Sequence, residues 1–344
     1  MIQNHQHIVF PAEWYPHSGI QLTWPHANTD WYTILDEVVE CYVSIAKEVV
    51  KREKLLIVCA DEDKVLKHFT KEEKSQIITV ELKSNDTWAR DHGGLSVWKD
   101  NKPTILDFKF NAWGLKFTSN LDNQITGHLY EKEIFRPEVG YESHLNFVLE
   151  GGSIESDGKG TILTTSECLT SPNRNQPLTL DEIERYLKDA FGARRILFLD
   201  HGYLAGDDTD NHIDTLARFC NDKTIAYVKC EDVNDEHFYE LNKMESQLKT
   251  FTTIDGSPYK LISLPMADAV YDDGYRLPAT YANFLIINDA VLLPFYNSPK
   301  DEVAKSILQT AFTDREIIGI NCRPLIKQHG SLHCITMQFP KGFL

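Results

Sequence analysis

The stretch "GSLHCITMQFP" (330–340) places a cysteine, Cys334, behind a Gly-Ser turn at the head of an apolar, strand-like run. A buried thiol behaves as a small hydrophobe, and that is the ordinary explanation for a single cysteine. Its company elsewhere in the chain makes Cys334 a candidate nucleophile. "NHIDTLARF" sets His212 and Asp214 two residues apart, which on a strand puts both side chains on one face. An unperturbed thiol, pKa about 8.5, is only a few per cent ionised at neutral pH, so a nucleophilic cysteine needs an activating neighbour. An imidazole can fill that role and later hand a proton to a leaving group. Taken alone, His212 reads equally well as a satisfied core histidine.

Three carboxylates are harder to explain as core. Asp91 stands in "TWARDHGG", Glu150 in "LEGGSIE", and Asp214 follows His212. Gathered in one concavity they would repel, and desolvating each costs several kcal/mol, so they call for a cation. A metal is one candidate, with His212, His333 or His329 as further ligands. An organic guanidinium is the other, because its planar N–H groups pair bidentately with carboxylates. Trp88, three residues before Asp91, and Trp113 in "FNAWG" are suited to flank a flat cation, although each alone also reads as core. Gly93–Gly94, Gly151–Gly152 and Gly330 flank the reactive positions, where the backbone must approach closely or take a positive φ.

The elements that would carry these residues recur. Residues 35–53 put Val38, Val39, Tyr42, Ile45, Val49 and Val50 on one helical face. A second helix opens with Thr179 and Glu182 as a capping box and ends at Gly192. Residues 235–251 and 299–312 complete the helix set. Hairpins with turn residues at their centres are expected over 93–108, 146–165, 212–230 and 281–296. Further strands, "KLLIVCA", "RRILFLD", "YKLISLP" and "REIIGIN", follow or lie between the helices. The order strand, strand, helix, strand repeats at roughly 50–70 residues, which points to radial or solenoid stacking. The first strand of successive units opens with Asp91, with Glu150, with His212 and Asp214, with Asn283, and with Cys334. Stacking around an axis would bring all of them to one spot.

Composition narrows the partners. The chain has 344 residues, 42% of them hydrophobic, and no Pro/Ser/Gly linker divides it, so a single domain over residues 1–344 is expected. A net charge of −16 argues against nucleic acid, whose phosphates need clustered Lys and Arg, and leaves room for a small cationic substrate. The seven cysteines are odd in number and form no CxxC pair, so neither a disulfide framework nor a zinc ribbon is expected. "MIQNHQHIVF" does not read as a signal peptide, and no apolar run reaches the ~18 residues of a membrane span. The expectation is a cytoplasmic protein without a membrane partner.

Seven segments together, "FPAEWYPHSGIQLTWPH", "TWARDHGG", "FNAWG", "LEGGSIESDGKGTILTTSECL", "GDDTDNHIDTLARF", "YANFLIIN" and "HGSLHCITMQ", resemble the agmatine deiminase and bacterial peptidylarginine deiminase family. The resemblance runs from about Phe10 to Phe339. It implies an α/β fold, a five-bladed propeller of ββαβ repeats around a central site in the guanidino-group-modifying superfamily, with no metal or organic cofactor. Carried over by motif, Cys334 is implied as nucleophile and His212 as general acid/base. Asp91 and Asp214 are implied as the guanidinium clamp, Glu150 as the neighbour of His212, and Trp88 as the wall along the substrate's alkyl chain. "RDHGG" for the commoner RDTGP, Asn211 for a frequent glycine, and "HGSLHC" for a glycine-richer loop depart from the family pattern.

The activity implied is hydrolysis of agmatine to N-carbamoylputrescine and ammonia through a thiouronium on Cys334, a step of polyamine synthesis. Asp207, Asp208, Asp272 and Asp273 are candidates to receive the distal amine. Trp113 and Asn283 are counted with Trp88, Asp91, Asp208 and Asp214 as substrate contacts. Deimination of free or peptide-bound arginine is the alternative within the class and would want a cation at the mouth, for which Arg276 is available. Amidino transfer is chemically adjacent. A non-catalytic propeller that captures polyamines is the reading from another class, and it would leave Cys334 dispensable. A homo-oligomer is compatible with all of these.

Overall fold

The structure, a computed structural model, describes residues 7–344. The stretch read for a leader therefore falls partly outside the described residues. Five mixed sheets share one strand plan, in which the first strand pairs antiparallel with the second and the second parallel with the third. One sheet joins Leu95–Lys99, Lys102–Lys109 and Gly140–Val148, and another joins Ile154–Ser156, Thr161–Thr165 and Arg195–Leu199. Ala217–Asn221, Thr224–Lys229 and Lys260–Pro265 form the third; Leu285–Ile287, Ala290–Phe295 and Glu316–Asn321 form the fourth. The fifth draws on both ends of the chain: Thr336–Pro340 runs antiparallel to His17–Thr23, which continues parallel to Lys54–Cys59 and then Ile77–Glu81. A ribbon of Tyr271–Asp272 and Tyr275–Arg276 stands apart from these sheets.

Parallel neighbours need a crossover, and in each sheet a helix supplies it. Leu35–Val50, Ile125–Glu131, Leu180–Phe191, Phe238–Leu248 and Lys300–Gln309 fill that place in turn. The helix at Leu180 starts on the expected capping box, with both reciprocal bonds between Thr179 and Glu182, and stops where Gly192 turns left-handed at φ 64°. Leu35–Val50 buries Val38, Tyr42, Ile45, Val49 and Val50 as expected, together with Cys41 and Ala46, and leaves Val39 only partly covered. The central strands are apolar on both faces because helices cover one side and neighbouring strands the other: Leu55, Leu56, Ile57 and Leu292 are fully buried. Among the described residues no helix is long and apolar enough to cross a membrane.

Three local expectations are corrected. The run 146–165 is not one hairpin: Gly140–Val148 ends the first sheet, and only Ile154–Ser156 pairs with Thr161–Thr165. His212 and Asp214 do not share the face of a strand; Ile213–Leu216 is a single helical turn, with His212 extended just before it. Cys334 likewise lies in the turn before Thr336–Pro340 and not on the strand. In both places Thr side chains compete for the backbone. Thr215 Oγ1 donates to the His212 carbonyl and Thr336 Oγ1 to the His333 carbonyl, which closes a tight turn where alternation alone suggested extension.

Candidate active site

Short turns ahead of the first strands, rather than the strands themselves, carry the site. Asp91 sits in the one-turn helix Ala89–His92, and Glu150 immediately precedes the turn Gly151–Ser153. The Arg90 amide donates to the Cys334 carbonyl at 3.1 Å, which ties the Asp91 turn to the Cys334 turn. Asn211 holds a left-handed φ of 65° before His212, a conformation asparagine tolerates nearly as glycine does.

These turns bring Asp91, Glu150, His212, Asp214, Asn283 and Cys334 together. Asp91 Oδ1 accepts from the Gly152 amide at 2.9 Å and lies 3.7 Å from His212 Nδ1; Oδ2 accepts from Trp113 Nε1 at 3.0 Å. Asp214 Oδ2 accepts from His333 Nδ1 at 2.7 Å, while Oδ1 is buried without a partner. Cys334 Sγ is 3.9 Å from Asp214 Oδ2 and 3.3 Å from Asn283 Nδ2. The Asn283 amide is oriented because its Oδ1 accepts from the His333 backbone at 2.9 Å.

Gly152 marks the centre of this group. A Cβ there would stand 2.7 Å from His212 Nδ1, 2.8 Å from Asp91 Oδ1 and 3.1 Å from Asp214 Oδ2. Three polar side chains thus pack directly against the Gly152 Cα, and only a residue without a Cβ fits among them. Gly152→Ala is expected to keep the fold, read by its melting curve, and to lower kcat/KM at least about a hundredfold, near 3 kcal/mol.

Burial and charge set the protonation states. Burial pushes Asp91 up to about 6, against the attraction of His212. Burial would lower His212, but Asp91, Cys168 and Glu150 hold it well above its ordinary value. Burial, then the charges of Asp214 and Asp91, push the Cys334 thiol well above 9. Asp214 is pushed up by burial but held below the usual carboxylate range by its bond to His333 and by the charges of His333, His212 and Arg218.

Two triplets of potential metal-ligand atoms come within 4.8 Å of one another among the described residues, Glu150–Cys168–His212 and Glu13–Glu155–His333. Each already has an arginine as its cation. Arg174 Nε donates to both Glu150 oxygens at 3.1 and 3.2 Å, and Arg218 bonds Glu13 and Glu155. His329 instead directs Nδ1 at the Gly206 carbonyl, 2.7 Å away.

Above Cys334 lies a cavity of about 150 Å³ walled by Trp88, Trp113 and Phe117, and it carries the carboxylates of Asp30, Asp86, Asp91 and Asp208. Among the described residues no lysine or arginine lines it. Trp88 Nε1 donates to Asp86 at 2.9 Å, so the tryptophan wall and that carboxylate are coupled. Gly330 is required beside Trp88, since a Cβ would come within 2.1 Å of the indole. Burial, with a carboxylate neighbour, pushes Asp86 and Asp208 each up to about 6.

Of the four loop carboxylates named for a distal amine, only Asp208 lines this cavity. Asp207 is spent on Thr209 and the Asn211 amide, and Asp272 and Asp273 are exposed in and beside the separate ribbon. Arg276 is paired with Asp235 at 2.8 Å and Glu236 at 3.2 Å and lines a different cavity. Glu13, Asp30, Asp86, Cys168, Arg174 and Arg218 were not anticipated. Asp86, two residues before Trp88 in "SNDTW", and Arg218, four after Asp214 in "NHIDTLARF", were within reach of the motifs; no spacing relates Glu13, Asp30, Cys168 or Arg174 to the residues they meet.

The fold and the site define an α/β protein in which a cysteine, an imidazole and paired carboxylates meet under a small acidic cavity. Residues 9–340 match the Porphyromonas-type peptidyl-arginine deiminase family, and the chain belongs to that family. A candidate arginine deiminase from Porphyromonas gingivalis is 54% identical and superposes with a TM-score of 0.95, covering 98% of this chain and 100% of that one. A cysteine-to-serine agmatine deiminase from C. jejuni with substrate bound is 37% identical with a TM-score of 0.92, covering 100% and 99%. The agmatine deiminase of Pseudomonas aeruginosa (strain LESB58) is 30% identical over 96% of this chain and 95% of its own.

Proposed function

We propose that this chain is an agmatine deiminase, a guanidino-group hydrolase that converts agmatine to N-carbamoylputrescine and ammonia. The observation that carries this reading is the charge of the cavity: carboxylates line it from the Cys334 end outward, and among the described residues no lysine or arginine joins them. A guanidinium at one end and an amine at the other match such a wall; an α-carboxylate does not. Five sheets of one plan, with a site residue in the turn before each first strand, support a five-bladed propeller with the site on its axis.

In the proposed reaction Asp91 and Asp214 hold the guanidinium N–H groups, and its positive charge offsets the two anions that keep Cys334 protonated. The thiol gives up its proton to the solvent as the substrate binds, and the thiolate attacks the guanidinium carbon. Protonated His212 gives its proton to the departing nitrogen, which leaves as ammonia from a thiouronium on Cys334. Neutral His212 then takes a proton from water as the water adds to that carbon, and the C–S bond breaks as the added hydroxyl loses its proton to the solvent, releasing the ureido product and the thiolate. Glu150, fixed by Arg174, stabilises the imidazolium. Trp88 and Trp113 flank the substrate, Asn283 steadies the sulfur, and Asp208 receives the amine with Asp86 and Asp30.

The name of the P. gingivalis relative favours free arginine as a second reading. Against it stands Arg276, which is paired away from the cavity. Incubation with agmatine, free arginine and an internal-arginine peptide, followed for ureido product and ammonia, tests the proposal; faster turnover of either arginine substrate would reverse it.

Two further results are expected. Asp91→Asn or Asp214→Asn removes a charge-assisted pair, and kcat/KM for agmatine should fall more than about a hundredfold, roughly 3 kcal/mol. A carboxyl raised by burial is ionised only above its folded pKa, so activity that needs Asp91 as an anion is lost as pH falls through that value. The acid limb of kcat/KM for agmatine should therefore lie near pH 6.

A further inference from the structure

His333 is fully enclosed between two carboxylates. Its Nδ1 lies 2.7 Å from Asp214 Oδ2 and its Nε2 2.8 Å from Glu13 Oε2. The same Glu13 oxygen accepts from Arg218 Nη2 at 2.6 Å, and Glu13 Oε1 accepts from the Ile286 amide at 2.7 Å. Arg218, itself fully buried, also bonds Glu155 and the Phe284 carbonyl. The charged groups around the ring are thus Asp214 and Glu13 in contact, Arg218 and Glu155 behind Glu13, Arg90, whose Nε reaches the His333 carbonyl, and Cys334 next in the chain.

A neutral imidazole has one N–H and one lone pair. Placed here it would set the lone pair against a carboxylate oxygen less than 3 Å away, with no water to intervene. Each carboxylate also has a cation other than this ring beside it, Arg218 on Glu13 at 2.6 Å and His212 near Asp214, which favours the ionised form against burial. Only the doubly protonated ring satisfies both bonds. As imidazolium, with Arg218 and Arg90, it balances Asp214, Glu13 and Glu155 charge for charge, which a buried cluster requires.

We propose that His333 is a positioning residue, a fixed imidazolium anchored through Glu13 to Arg218 that locks one oxygen of Asp214 and leaves the other for the substrate guanidinium. Asp214 Oδ1 is buried and unpartnered, as a reserved acceptor would be. The His333 backbone N–H also orients Asn283 against the Cys334 sulfur, so one residue couples the clamp to the cysteine. The positioning role rests on the proposed clamp function of Asp214; the imidazolium itself does not.

The test has two arms. In substrate-free wild-type protein labelled with 15N-histidine, one buried ring should show both nitrogens protonated from pH 6 to 8, and that signal should vanish in His333→Asn. A ring protonated at one nitrogen overturns the inference. In the second arm, kcat/KM for agmatine is measured against pH for wild type, His333→Asn and Glu13→Gln, with melting curves alongside. Losing the cation makes Asp214 easier to protonate. The acid limb should then steepen from one proton to two and move up by about one pH unit in His333→Asn, and move less in Glu13→Gln, which keeps the ring and serves if His333→Asn does not fold. A uniform loss at every pH, or an unmoved limb in both variants, overturns it. Failure of wild type to turn over agmatine would strike the proposed function, while the nitrogen protonation still decides the state of His333.

Discussion

Cys334→Ser is expected to abolish ammonia release while leaving the melting curve unchanged. The side chain is almost fully buried and packs by size more than by chemistry, and a hydroxyl occupies slightly less space than a thiol. Its chemistry cannot be replaced in the same way. Burial and two nearby carboxylates already drive the Cys334 thiol well above its ordinary pKa, and a serine hydroxyl in those surroundings would be far harder to ionise. The loss should reach about four orders of magnitude or more, the scale on which enzymes lose covalent nucleophiles. Mass spectrometry of wild-type protein quenched during turnover should show a substrate adduct on the peptide containing Cys334, and none in the variant. Retained turnover in the serine variant would remove the covalent mechanism, and no turnover by the wild type would favour the polyamine-binding reading.

Preference for agmatine over free arginine should be of comparable size. At the end of the molecule remote from the guanidinium, agmatine carries only an amine, whereas arginine adds an α-carboxylate. The cavity offers Asp30, Asp86 and Asp208 there, and Lys116, whose ammonium reaches the Asp208 carbonyl, is already paired with Asp210 at 2.9 Å. Burying a carboxylate against such a wall costs several kcal/mol, so kcat/KM for agmatine should exceed that for arginine by about three orders of magnitude or more. Arginine methyl ester lacks the negative charge and should recover part of the gap. All three are to be compared in one buffer, and a better rate with free arginine would show that the acidic wall does not decide specificity.

Much of the architecture is written locally. The capping box at Thr179 and Glu182, the stop at Gly192 and the apolar face from Val38 to Val50 each follow from interactions within a few residues, so they appear in the sequence nearly as they do in the structure. The polar residue before each first strand was legible for the same reason: a single hydrophilic position ahead of an apolar run stands out. The turns that carry those residues were not legible. "HIDTL" and "SLHCI" alternate like strands, and only the Thr215 and Thr336 side-chain bonds to the preceding carbonyls show that the backbone closes there.

The chain by itself determined which groups could do chemistry, Cys334, His212, Asp91, Asp214 and Glu150, because reactive side chains are identified by type and by the apolar runs they interrupt. Tertiary structure alone decided what surrounds them. Glu13 lies 320 residues from His333, and Arg218 lies 205 from Glu13, yet one hydrogen-bonded path joins all three to Asp214. Charge balance in a buried site is a property of distances between groups, and neither periodicity nor spacing along the chain encodes those distances. For the same reason Asp272 and Asp273, acidic and near a candidate arginine in sequence, proved irrelevant to the cavity, while Asp30 and Asp86 came to line it.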